Sequence, residues 1–213
     1  MKLKAAIASF LVMGMLLIGG RAEAALITST TVAGWALLPG ATIPDTFDND
    51  AAWTLTGFSA GLGLTAVTIT EVEIAGVELY TVAYDFGVIL GGLTPGTNVF
   101  IDYTMTITGD EHFVGVSLDS TVPGQTPEVT VTKFVTGGAN NTTLTSIAGN
   151  PVGPNSISGQ LVNIHETFVV GTDGFLSGAT NTFTVASVPE PMSLILIGIG
   201  LIGLGLTGRR SKV

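Results

Sequence analysis

Val99-Phe100-Ile101-Asp102-Tyr103-Thr104-Met105-Thr106-Ile107-Thr108 decides the fold class of this chain. Successive side chains of a strand point to opposite faces, so this stretch puts Val, Ile, Tyr, Met and Ile on one side. Phe, Asp and three Thr fall on the other, the pattern of a half-buried antiparallel strand. The same alternation recurs at Thr65–Ile74, Val77–Phe86, His112–Leu118, Val129–Val135, Gln160–Val170 and Thr180–Ala186. Gly- and Pro-rich breaks separate the runs: 91–96, 123–127, 137–141, 149–154 and Asp173-Gly174. Between the two ends of the chain no stretch has the period of an amphipathic helix. About eight to ten short strands in one domain predict an all-β, antiparallel two-sheet sandwich, jelly-roll-like. Lack of an internal repeat speaks against a β-helix.

Charge is scarce and its placement informative. Of 213 residues 46% are hydrophobic and 11% charged. Lys2, Lys4 and Arg21 lie at the start and Arg209, Arg210 and Lys212 at the end, leaving Lys133 as the sole Lys or Arg between them. The middle is acidic throughout and repels phosphate backbones, so nucleic acid is excluded as a partner. Cations and neutral polymers suit it. No cysteine is present, hence no disulfide framework and no thiol chemistry.

Residues 1–24 have the order of a secretory signal peptide, expected as an N-terminal signal helix. Lys2 and Lys4 precede an uncharged run from Ala5 to Gly19, and Ala22-Glu23-Ala24 offers small residues to signal peptidase, with cleavage expected after Ala24. Residues 25–187 form the extracellular domain. Residues 188–213 form a three-part tail: Val188-Pro189-Glu190-Pro191, an apolar run from Met192 to Thr207, and the basic stop Arg209-Arg210. A helix over that run spans roughly 24 Å, short of the ~30 Å hydrocarbon core. It reads as a marginal transmembrane helix with its basic end in the cytoplasm.

Pro189-Glu190-Pro191, the apolar run and Arg209-Arg210, behind a signal peptide, resemble the PEP-CTERM sorting tail of Gram-negative bacteria, a tail also labelled "ice-binding protein C-terminal". The resemblance implies a membrane-inserted precursor recognised by exosortase, removal of the tail, and delivery to the cell surface or an exopolysaccharide matrix. It covers about 25 residues and implies nothing about the domain it carries.

That domain shows few constellations for chemistry. Asp45, Asp48 and Asp50 in one loop offer hard oxygen ligands and are the calcium candidate. They do not form an EF-hand, since Trp53 and Ser59 stand where Gly and Glu would be required. Asp110-Glu111-His112 reads as a solvated turn. Glu71, Glu73 and Glu78 are read as products of strand alternation rather than as paired carboxylates for sugar hydrolysis. His165 and Glu166 point to opposite faces and cannot share an ion. Trp35, Trp53, Tyr80, Tyr84 and Tyr103 read mostly as core. Thr-x-Thr pairs could order ice, but no repeat aligns them. The expectation is a non-enzymatic surface or matrix protein without catalytic residues. Alternatives are a carbohydrate-binding module, with or without calcium, and behind it a glycan-active enzyme or an ice-binding protein.

Overall fold

The structure, a computed structural model, describes residues 23–74, 77–87 and 92–187. Ala22, Pro189, Glu190, Pro191, Arg209 and Arg210, with the two terminal helices expected around them, lie outside the described residues. Among the described residues no helix is long and apolar enough to cross a membrane.

The described residues form twelve strands: β1 (Glu23–Thr31), β2 (Thr42–Pro44), β3 (Ala51–Phe58), β4 (Ala66–Ile74), β5 (Val77–Asp85), β6 (Asn98–Ile107), β7 (Glu111–Thr121), β8 (Val129–Thr136), β9 (Thr142–Ile147), β10 (Val152–Asn155), β11 (Leu161–Val170) and β12 (Gly178–Ser187). They form two six-stranded antiparallel sheets. Sheet A runs β1-β4-β5-β12-β7-β10, and sheet B runs β2-β3-β6-β11-β8-β9. Strands β5 to β12 interleave as β5-β12-β7-β10 against β6-β11-β8-β9, the winding of a jelly roll. The pairs β1–β4 and β2–β3 extend each sheet at one side.

Strand β6 behaves as its alternation predicts. Ile101, Tyr103, Met105 and Ile107 are buried between the sheets, and Phe100 faces out. Aromatic rings fill the centre of the sandwich: Trp53 meets Tyr80 edge-on at 5.4 Å, Trp35 lies 5.8 Å from Tyr103, and Phe86 meets Phe168 at 5.2 Å. Both tryptophans and Tyr80, Tyr84 and Tyr103 are core residues, so none of these five rings serves as an exposed sugar platform.

The strand count exceeds the expected eight to ten, because β1, β2, β3, β9 and β10 were not among the alternating runs. Short length hides β2. In β10 the sequence Val-Gly-Pro-Asn carries no alternation at all. Its Gly153 has φ +107°, and a Cβ there would stand 2.8 Å from the Val116 carbonyl oxygen, so only glycine lets this edge strand close on β7. One short helix, α1 (Val32–Ala36), also escapes the periodicity; Thr31 caps it, its Oγ1 accepting from the Gly34 N–H at 3.0 Å.

Candidate functional site

The loop joining β2 to β3 belongs to sheet B and folds over one open end of the sandwich. Its conformation comes from the aspartates themselves: the Phe47 N–H donates to Asp45 Oδ1 at 2.8 Å, and the Asp50 N–H donates to Asp48 Oδ1 at 3.4 Å. Sheet A presents Glu71 of β4, Glu78 and Tyr80 of β5, and Glu111 at the start of β7 to the same end. Alternation sets this arrangement. Val67, Ile69 and Glu71 share the inner face of β4, and Glu78, Tyr80 and Val82 that of β5. Alternation does place Glu71 and Glu78, and its phase sends both inward. Glu111 likewise is no solvated turn residue, since its Oε2 is buried.

Six carboxylates gather here, and among the described residues no Lys or Arg pairs with them. One oxygen each of Asp45, Asp48 and Glu71 lie within 4.8 Å of one another, as do oxygens of Asp48, Asp50 and Glu78. Asp45 is 0% exposed and Glu71 1%. Both Glu71 oxygens and Asp45 Oδ2 are buried with no hydrogen-bond partner. The Tyr80 hydroxyl lies 2.7 Å from Asp50 Oδ1 and 2.9 Å from Glu78 Oε2. It has one proton to donate, so it satisfies only one of them.

Electrostatics follow from burial and crowding. Desolvation, aided by the neighbouring aspartates and Glu78, pushes the Glu71 carboxyl up to about 8. Desolvation and contacts with Asp50 and Glu78 push Glu111 up to about 8, and desolvation with a contact to Asp48 pushes Asp45 up to about 7. Glu78 is also raised, first by desolvation. Against its own desolvation, Asp48 is held below its usual range by hydrogen bonds with Asp45 and Asp50. Such a group either keeps protons near neutrality or takes up a cation. Two oxygens bound to one calcium at 2.3–2.6 Å can be at most about 5 Å apart, so the observed spacing fits. An all-oxygen set without His or Cys excludes a zinc-type donor set.

A second cluster lies mid-core. Lys133 of β8, Glu166 of β11 and Asn181 of β12 are all fully buried. In the sequence Lys133 stands out only as the lone Lys or Arg between the two ends, Glu166 only beside His165, and Asn181 not at all. Phase again marks them: Val131, Lys133 and Val135 share a face, as do Ile164, Glu166 and Phe168, and Ala179, Asn181 and Phe183.

Outside, sheet B shows Phe100, Phe134 and His165 to solvent. The Phe100 and His165 rings are 5.9 Å apart at 30°, and His165 Nδ1 lies 2.5 Å from Asp102 Oδ1. Asp102, Phe134 and His165, with Thr56, Thr136 and Asn163, line a shallow depression. A somewhat larger depression is bordered by Tyr84, Asp85, Thr121 and Ser177.

Strand β12 ends at Ser187, opposite Glu111, so the chain leaves the domain at the carboxylate end. Residues 187–211, which begin at that point, match the family described as the PEP-CTERM protein-sorting motif. The chain carries a PEP-CTERM sorting motif. It is thus an exported protein sorted to the cell surface, with exosortase processing as the implied partner activity. No curated protein matches the chain. A solved structure, titled "Structure of TmCBM61 in complex with beta-1,4-galactotriose", aligns with 65% of this chain and 88% of its own at 8% identity and a TM-score of 0.29. A superposition that loose carries no argument about ligand.

Proposed function

We propose that this is a non-enzymatic surface or extracellular-matrix protein whose β-sandwich is closed at its tail-bearing end by calcium. A membrane-inserted precursor in a Gram-negative envelope is cut by an exosortase-type enzyme, and the released domain lodges among exopolysaccharide. Asp45, Asp48 and Asp50 supply the ion's ligands from sheet B, and Glu71 and Glu78 supply them from sheet A. The observation that carries the calcium reading is Glu71, with two buried carboxylate oxygens, no partner, and two aspartates beside it. Titration of the chelator-stripped full chain with calcium tests it, by calorimetry and by melting temperature. Binding of one or two ions per chain is expected, lost in Glu71→Gln; absence of binding ends the calcium reading. Sorting is tested by the intact mass of protein recovered from the native envelope. An end near Pro191 is expected, whereas a retained Arg209–Val213 would mean a plain anchor.

A second reading, carbohydrate binding, is favoured by the outer face of sheet B. An exposed ring pair beside a short His–Asp contact and several hydroxyls and amides suits a sugar, which needs an apolar face and hydrogen-bond partners at once. Failure of the full chain to bind any matrix glycan, with or without calcium, would remove it.

A further inference from the structure

Lys133 is the only Lys or Arg among the described residues, and it is spent in the core. A buried ammonium is ordinarily retained by a contacting carboxylate. Here that contact is missing. Glu166 is the direct cross-strand partner of Lys133, yet the ion pair formed among the described residues is His165–Asp102. The lysine chain instead crosses to the opposite sheet. Its Nζ donates to the Ser117 carbonyl of β7 at 3.4 Å and lies 4.3 Å from the ring centre of Phe183. Asn181 stands two residues from Phe183 on the same inner face of β12, and its Nδ2 donates to Glu166 Oε2 at 2.9 Å. Asn181 Oδ1 and Glu166 Oε1 are buried with no partner. An amine, a carboxamide and a carboxyl are thus gathered in the buried interior, the amine over the Phe183 ring, the carboxamide on the carboxyl, and Tyr84 and Tyr103 facing Glu166.

We propose that Lys133 and Asn181 are joined by an intramolecular amide bond, formed with Glu166 as the catalytic acid–base. Nζ attacks Cγ of Asn181, and the Nζ–Cγ bond forms. The protonated Glu166 carboxyl gives its proton to Nδ2 and recovers one from Nζ; the Cγ–Nδ2 bond breaks and ammonia leaves. An amine and a primary amide become a secondary amide and ammonia, so no oxidant or cofactor is required. Glu166 ends in the protonation state in which it began. Burial supplies the reactive forms. Desolvation drives the Lys133 ammonium down to about 7, which exposes the nucleophilic lone pair. Desolvation also raises the Glu166 carboxyl, which keeps a proton available. Fixing the groups between packed sheets provides the high effective concentration that an uncatalysed amine–amide exchange lacks. The product ties sheet B through β8 to β12, the strand that runs straight into the sorting motif. In a chain without cysteine this is the cross-link open to it.

Trypsin offers a direct test, because Lys133 is its only site between Arg21 and Arg209. The full chain is purified, weighed intact, unfolded and digested. A cross-linked chain is about 17 Da light by the loss of ammonia, and acylated Lys133 resists cleavage. Fragment spectra should place the link between Lys133 and Asn181. Glu166→Gln and Asn181→Ala should each restore the full mass and the cut after Lys133; the digest reads unfolded protein, so neither variant needs to fold well. A wild-type chain of full mass that is cut at Lys133 overturns the proposal. So does a mass deficit that traces to another asparagine with Lys133 still cleavable. A link that survives in Glu166→Gln overturns the role given to Glu166.

Discussion

Two buried polar clusters sit in one sandwich and solve opposite problems. At the open end, six carboxylates crowd together, and among the described residues no Lys or Arg pairs with them and Glu71 has no hydrogen-bond partner. In mid-core, Lys133, Glu166 and Asn181 gather a base, an acid and an amide in the buried interior. Among the described residues the first is charge-incomplete, and protons or a cation would complete it. The second is chemically complete and can settle its own account by reacting. Both lie between the sheets, so both bear on how firmly β12 and the tail behind it are held.

The largest expected effect comes from Lys133→Met. A cross-link closing a loop of about fifty residues is worth about 4 kcal/mol in the chain-entropy picture. For a domain near this size that corresponds to a fall in melting temperature of about 8–16 °C. Without a cross-link the sign reverses, since replacing a buried, poorly paired charge with an apolar side chain of similar volume is neutral or stabilising. Melting curves of the two proteins therefore separate the cases by direction, not only by size.

Next in size is the calcium response. At a free concentration about a hundredfold above the dissociation constant, binding adds about 2.7 kcal/mol, or about 5–10 °C. Glu71→Gln should abolish that gain and Lys133→Met should leave it intact, because distant sites with no shared partners act additively. A Lys133→Met chain that no longer responds to calcium would show that the clusters are coupled after all.

A smaller effect is expected from pH in the presence of chelator. The carboxyls of Glu71, Glu111 and Asp45 are raised in the folded chain to about 8, 8 and 7, from ordinary values of 4.5, 4.5 and 3.8. Between those limits the folded chain binds more protons than the unfolded one, so stability is full below about pH 4 and falls as pH rises through 7 to 8. Lys133, tied up as an amide, contributes no opposing slope. Melting temperature in chelator should therefore decline from pH 5 to pH 8, and saturating calcium should flatten the curve. A rise over that range without calcium would mean that the carboxylates are compensated by something other than protons.

How much of this was legible depends on the phase of each strand more than on its composition. The alternation at Val99–Thr108 located β6 and its inner face outright. Applied with the same care, the even spacing of Val67, Ile69 and Glu71 would have sent that glutamate inward, but an acid in a β-rich chain is readily assigned to solvent. The same parity held for Val131, Lys133 and Val135. What parity could not supply is which strands face each other. Glu71 meets Asp48 only because β4 and the β2–β3 loop, from different sheets, converge at one end, and Asn181 meets Glu166 only across the sandwich. The aspartate loop was recognisable from its own residues, whereas its partners from sheet A, Glu71, Glu78 and Glu111, are brought to it by long-range pairing. Short or glycine-broken strands such as β2 and β10 lacked any local signal.

The smallest effect on stability, and the sharpest contrast with both clusters, is expected at His165. Its contact with Asp102 is short, but the two side chains are 52% and 32% exposed. An exposed pair of this kind is worth at most about 1 kcal/mol. His165→Ala should move the melting temperature by no more than about 4 °C, with calcium response and tryptic resistance at Lys133 unchanged. If the outer face of sheet B holds a sugar, the same substitution should still weaken glycan retention on an affinity gel, since His165 and Phe100 together form the stacking surface. A variant that keeps its stability and loses retention would place ligand recognition on the face that neither buried cluster touches. Unchanged retention would leave the outer face as solvated sheet and confine the domain's chemistry to its interior.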